Sequence, residues 1–155
     1  MQPAMHHNPY PKFFLMLAAS FVVMYVVMYL NTYEWDHVYF SLMRFYMTCL
    51  MIVPMALIML GFMGSMYPRR GLNLLIGGAG GLLFVIVYFL MRTQSLVNDV
   101  RWMEAMIPHH SIAILTSERA NIQDPEVRKL ADGIITARKR EIGEMKQLIK
   151  RLKKQ

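Results

Sequence analysis

Hydrophobic residues run almost unbroken over Phe13–Leu30, Phe45–Tyr67 and Leu72–Met91. Between them lie Asn31–Arg44 and the basic turn Pro68-Arg69-Arg70-Gly71. From Arg92 the pattern changes. Apolar residues now recur at intervals of three and four, with charges between them. The first pattern belongs to helices with apolar surroundings on every side, the second to helices that bury one face. Phe13–Leu30 carries no charge over its eighteen residues. At a rise of about 1.5 Å per residue it just crosses a bilayer core of about 30 Å. No small-residue cleavage pattern follows it and two further runs do, so it reads as a retained span rather than a leader. The expected fold class is all-α: three transmembrane helices, then an extramembrane two-helix hairpin. The expected divisions are a polar tail over 1–12, a membrane domain over 13–91 (spans 13–30, 45–67 and 72–91) and the hairpin over 92–155.

The spans carry further detail. Pro54 lies inside the second, where neighbouring helices satisfy the carbonyl it frees. Gly77, Gly78, Gly80 and Gly81 crowd the third, and Gly77 with Gly81 form a small-xxx-small pair. Gly61 and Ser65 offer a similar surface on the second, so these two spans are expected to pair closely. Tyr25, Tyr29 and Tyr33 stand where an aromatic belt would lie. Met43, Met47, Met51, Met55, Met59 and Met63 recur every fourth residue. Each step gains about 40° on a full turn, so the row winds round the helix as a packing ridge instead of lining one face. No charged residue falls inside a span, which argues against an ion-coupled transporter.

Beyond Arg92, Leu96, Val100, Met103, Met106, Ile107, His110, Ala113, Ile114 and Ser117 form one stripe. No helix breaker lies between Leu82 and Ile107, so the third span is expected to run into this helix as one rod, kinked at Pro108. Asp124-Pro125-Glu126 then marks a helix start: a cap, proline in the first turn and an acid beside it. The second helix has its stripe at Val127, Leu130, Ala131, Ile134, Ile135, Arg138, Glu141, Ile142, Met145, Leu148, Ile149 and Leu152. Arg138 and Glu141 are charged residues on that apolar stripe. They are either an ion pair or a carboxylate aimed at a cation.

Charge and composition narrow the classes. Net charge is +7, and thirteen of the bases against eight acids lie from Arg92 onward. No nucleic-acid motif accompanies them, and basic residues beside a membrane suit anionic lipid. Lys12, Arg69 and Arg70 lie on one side of the expected membrane, and the loop with Glu34, Asp36 and Arg44 on the other. The positive-inside rule then puts the N-terminus in the cytoplasm and the hairpin outside. Cys49 is the single cysteine, so no intrachain disulfide forms.

Sixteen methionines raise the question of chemistry. Thioethers fill cores, and they also bind Cu(I). Met103 and Met106 share a helix face with His110, at i−7 and i−4, while His109 is turned about 100° toward the edge. Met145 and Glu141 return toward that face from the second helix. Such a set favours Cu(I), with Cu(II) open if the carboxylate joins, and it does not suit zinc. Met1, Met5, His6 and His7 are either a second soft-metal cluster or a tail. The hairpin helices have no Glu-x-x-His pair, the chain has no nucleophile–base pair and no phosphate loop, and no enzyme is expected.

Trp102-Met103-Glu104-Ala105-Met106-Ile107-Pro108-His109-His110, then Pro125-Glu126-Val127-Arg128-Lys129-Leu130-Ala131 and Glu141-Ile142-Gly143-Glu144-Met145, resemble the bacterial family called domain of unknown function 305. The resemblance covers about residues 95–152. It implies a ferritin-like fold, of which the hairpin is half a four-helix bundle, and copper binding with Met103, Met106, His109, His110, Glu141 and Met145 as ligands. The chain has Arg138 where that family has glutamine, and a cation there disfavours a second one beside Glu141. The expected function is therefore an integral membrane copper-binding protein for copper tolerance, storage or handover. The alternative is a membrane-anchored interaction module without metal. Expected partners are the lipid bilayer, further copies of the chain closing the bundle, and a copper-handling protein. The expected location is a bacterial inner membrane with the hairpin in the periplasm.

Overall fold

A computed structural model describes residues 8–154. The cluster of Met1, Met5, His6 and His7 lies outside them. The described chain is all helical, with α1 over Tyr10–Val27, α2 over Leu42–Phe62, α3 over Arg70–Thr93, α4 over Asp99–Arg119 and α5 over Pro125–Leu152. It divides into two compact units: residues 8–25 with 45–94, and residues 26–44 with 95–154.

In the first unit α1, α2 and α3 are each long and apolar enough to cross a membrane. Their ends are set by local chemistry. The Asn8 side chain accepts the backbone N–H of Tyr10 at 3.3 Å and Pro11 occupies the first turn, so α1 begins earlier than the apolar run. Tyr10, Phe13 and Tyr67 pack ring against ring, with centroids 5.6 and 5.3 Å from Tyr67. The Tyr10 hydroxyl donates to Asn73 Oδ1 at 2.8 Å and accepts from the Arg69 N–H at 3.2 Å, which satisfies the start of α3. The α2–α3 pairing uses a different glycine face from the expected one. A Cβ on Gly77 would stand 3.6 Å from Leu57, and one on Gly80 3.4 Å from Val53, whereas Gly81, Gly78 and Gly61 face open space. Spacing of three therefore sets this contact, not the Gly77–Gly81 spacing of four. The methionine row winds as expected: Met43, Met47 and Met51 are exposed, while Met59 and Met63 pack on the Tyr10–Phe13–Tyr67 cluster.

The second unit is the antiparallel pair α4 and α5 with residues 26–44 laid against it. Met103, Ile107, Ile114, Ile142, Met145 and Ile149 form its core, flanked by Met106, Ile135, Tyr33 and Tyr39. Fully burying an aliphatic side chain contributes roughly 1.5–3 kcal/mol, so these residues dominate the unit's stability. Both ends of the hairpin are clamped. Lys153 reaches Glu104 at 2.6 Å, and Arg128 donates to the Ser117 carbonyl at 3.0 Å. Asp124 caps α5 by accepting from the N–H groups of Glu126 and Val127, both at 2.9 Å.

The single rod through Leu82–Ile107 is not formed. α3 stops at Thr93, and Gln94 turns left-handed at φ 54° while its N–H still bonds the Leu90 carbonyl. Asn98 then caps a new helix, its Oδ1 accepting from the Arg101 N–H at 2.9 Å. A side-chain cap competes with helix continuation by satisfying donors that a rod would pair internally. Pro108 lies within a continuous α4, fully buried. Arg44, expected in a loop, belongs to the first turn of α2, where its guanidinium stacks 4.0 Å above the Tyr29 ring.

Candidate metal centre

Two groups of metal-ligating side chains stand out in the second unit. The first is built on the helix pair. Met103 and Met145 are buried in the core, and Met106 packs against it half-buried. His110 is 7% exposed. His109, one residue earlier and about 100° round the helix, is exposed, with its ring centroid 6.4 Å from that of His110. The six expected residues therefore divide. Met103, Met106 and Met145 share one core, His110 and Glu141 meet across the helix pair, and His109 stands apart.

Arg138 occupies the place beside Glu141 where a cation would sit. Its Nη1 lies 2.5 Å from Glu141 Oε2 and 3.1 Å from His110 Nε2, and that Nε2 is 2.8 Å from the same carboxylate oxygen. Nε2 could accept from Arg138 at 3.1 Å or donate to Glu141 at 2.8 Å; the shorter contact to a charged acceptor favours the Nε2–H tautomer that donates to Glu141. His110 Nδ1 is then an unprotonated lone pair. It is buried and has no hydrogen-bond partner among the described residues. The Arg138 guanidinium, chiefly through its hydrogen bond, holds the Glu141 carboxyl below its ordinary range. Burial, then the Arg138 charge, pushes His110 below the usual histidine value, so the ring is neutral near pH 7. Arg138 and Glu141 also line a groove of about 520 Å³ on α5 with Glu126, Lys129, Leu130 and Ile134. Solvent therefore reaches their outer side.

This donor set fits Cu(I) in one half and not in the other. A buried, unpartnered imidazole nitrogen on the α4 face that bears Met103 and Met106 is chemistry suited to a soft monovalent ion. The carboxylate that would suit Cu(II) is already paired with a guanidinium.

The second group was missed from the sequence. Glu34, Asp36 and His37 bring one ligand atom each to within 4.8 Å of the others. Residues Trp35–His37 form a 3₁₀ turn with Glu34 before it. Three residues per turn bring Glu34 and His37 onto the same side. The signal was present as Glu34-x-x-His37, a spacing sought on the hairpin helices and not in the loop. The loop is fastened to α4 by Ser111, whose Oγ accepts the Tyr33 N–H at 2.7 Å and lies 3.0 Å from His37 Nδ1. Lys146 of α5 adds a 2.5 Å contact to Asp36 Oδ2. That hydrogen bond lowers the Asp36 carboxyl, and burial lowers His37.

Fold and site together define an all-α protein with three membrane-compatible helices and a helical hairpin bearing histidine and methionine. The description "Domain of unknown function (DUF305)" matches residues 97–155. An uncharacterized protein of Acanthamoeba polyphaga mimivirus is 32% identical over 142 residues, covering 87% of this chain and 89% of that protein. No solved structure matches. Residues 97–155 belong to the DUF305 family, and the chain's likeness to the viral protein extends well beyond that segment.

Proposed function

We propose that this chain is an integral membrane protein whose hairpin binds Cu(I), for copper tolerance, storage or handover. The observation that carries the reading is the buried, unpartnered Nδ1 of His110 on the helix face that also bears Met103 and Met106. With Met145 from α5, thioethers and imidazole supply the soft donors such an ion prefers. His109, exposed beside the site, would serve delivery from a copper-handling partner rather than the bound state. Glu141 would act through His110, by fixing the tautomer that leaves Nδ1 free. The family resemblance to copper-associated, ferritin-like proteins supports the same reading. So do Val127 and Leu130, 49% and 65% exposed on α5, which a second copy would cover in closing a four-helix bundle. By the positive-inside rule, Lys12, Arg69 and Arg70 support a cytoplasmic N-terminus and a hairpin in the periplasm of a bacterial inner membrane.

Titration of the purified full-length protein with Cu(I), against a chromophoric chelator, tests the reading. A single tight site is expected. It should be lost when Met103, Met106 and Met145 are all changed to Leu, a swap that keeps volume and apolarity. Unchanged affinity in a His109→Ala/His110→Ala double variant would sink it. The cluster of Arg138, Glu141 and His110 favours a second reading, a metal-free interaction module in which these groups are a part-buried hydrogen-bonded ion pair with a neutral histidine. That reading predicts no metal by elemental analysis and a melting temperature indifferent to Cu(I).

A further inference from the structure

The geometry points to a second, chemically distinct metal site, formed by His37 Nε2, Glu34 Oε2 and Asp36 Oδ1, that takes a first-row divalent cation of the zinc type. It is independent of the Cu(I) reading and lies outside the segment 97–155 matched by the family description.

Distances come first. His37 Nε2 is 3.6 Å from Glu34 Oε2 and 3.5 Å from Asp36 Oδ1. Both are too long for good hydrogen bonds, which lie near 2.7–3.2 Å. They do match the edges of a metal tetrahedron. Ligands about 2.0–2.2 Å from a zinc ion stand roughly 3.3–3.6 Å from one another. The two edges from His37 are thus ligand-like spacings, and all three atoms lie within 4.8 Å of one another.

The support around them has the form such sites need. His37 is 5% exposed, and its other nitrogen, Nδ1, lies 3.0 Å from Ser111 Oγ. A ligating histidine is ordinarily held in this way by a second group on its far nitrogen, which fixes ring direction and tautomer. Ser111 is itself held by the Tyr33 N–H at 2.7 Å. Asp36 meets Lys146 through Oδ2, which leaves Oδ1 turned to His37. Glu34 is half exposed and its side chain can close on an ion. A cavity of about 210 Å³ bordered by Glu34, His37, Lys139 and Lys146 gives water access to complete the coordination.

One imidazole and two carboxylates are borderline to hard donors, which exclude Cu(I) and suit Zn²⁺ and its neighbours. The Lys146 ammonium opposes the cation, so the site has a sign-specific signature: neutralising Lys146 should tighten binding, whereas neutralising either carboxylate should weaken it.

The test is Zn²⁺ titration of the full-length, chelator-stripped protein, in a His6→Ala/His7→Ala background that removes the tail histidines. One Zn²⁺ per chain is expected, with Co²⁺ giving the visible absorption of a four-coordinate site. Glu34→Gln and Asp36→Asn should each weaken Zn²⁺ at least tenfold, Ser111→Ala by about 10–100-fold, and Lys146→Met should strengthen it several-fold. Glu34→Gln is the decisive variant, because its side chain is 55% exposed and the near-isosteric change removes a charge and no packing. Cu(I) affinity should be the same in Glu34→Gln as in the parent, which separates this site from the first. The inference is overturned if the parent binds no Zn²⁺, or if Zn²⁺ affinity is unmoved by Glu34→Gln and Asp36→Asn.

Discussion

Arg138 is the residue on which the hairpin's chemistry turns. Its guanidinium satisfies Glu141 and presses against His110, so the acidic side of the site is closed to a second cation. Arg138→Gln is expected to free that carboxylate. Cu(II) affinity should rise at least tenfold in a chelator competition, an effect worth about 1.4 kcal/mol. The same change should destabilise the hairpin only slightly, since the pair is part-exposed. The methionines allow filler and ligand to be told apart. Met103→Ala and Met145→Ala each empty a core position and should cost roughly 2–5 kcal/mol. Met103→Leu should cost less than about 1.5 kcal/mol and still remove a thioether. Equal loss of Cu(I) binding in the Leu and Ala variants, with stability lost in the Ala variant alone, is the expected pattern.

At the scale of elements, caps and close approaches decide more than apolar runs do. The helix break at Gln94–Asn98 shows this. The absence of a helix breaker from α3 into α4 favoured one rod, but a single asparagine supplying a cap was enough to start a separate helix. Asp124→Ala should lower hairpin stability by about 1 kcal/mol, read by urea unfolding, because two N–H groups of α5 lose their acceptor. On α3, Gly80→Leu should disrupt the membrane helices, whereas Gly78→Leu should be tolerated. Val53 already stands 3.4 Å from a Cβ at the first position, and nothing does at the second. Thermal stability in detergent would show the difference.

For the whole molecule, the two-unit division sets how stability responds to pH. Both tryptophans, Trp35 and Trp102, belong to the second unit, so their fluorescence reports it selectively. Its two buried histidines, His37 and His110, have pKa values below the ordinary 6.5. As pH falls below 6.5 the unfolded chain takes up these protons before the folded one does, so stability declines toward the folded-state values. Asp36 and Glu141 are depressed below 3.8 and 4.5. Their contribution is full above those values and is lost as pH falls through the lower, folded ones. The tryptophan-detected melting temperature should therefore be level from about pH 7 to 9 and fall in two stages on acidification. His37→Ala/His110→Ala should remove the first stage.

Much of this was legible from the order of residues. The three membrane-length helices followed from unbroken apolar runs, the start of α5 from Asp124-Pro125-Glu126, and the inward faces of Met103, His110 and Met145 from spacing. All of these depend on a few neighbouring residues and on the fixed pitch of a helix, so sequence alone determines them. Pairings across the fold do not. Ser111 meets Tyr33 and His37 from 78 and 74 residues away, and Arg138 meets His110 from 28. The loop over 31–44 was expected only to connect two spans. It instead supplies Tyr33 and Tyr39 to the hairpin's core, cover that was expected from another copy or from the membrane helices. Which glycine face α3 presents and which ring nitrogen stays unpartnered were settled in the same way. Helical pitch fixes the face a side chain occupies, but only the packed neighbour decides what it meets there.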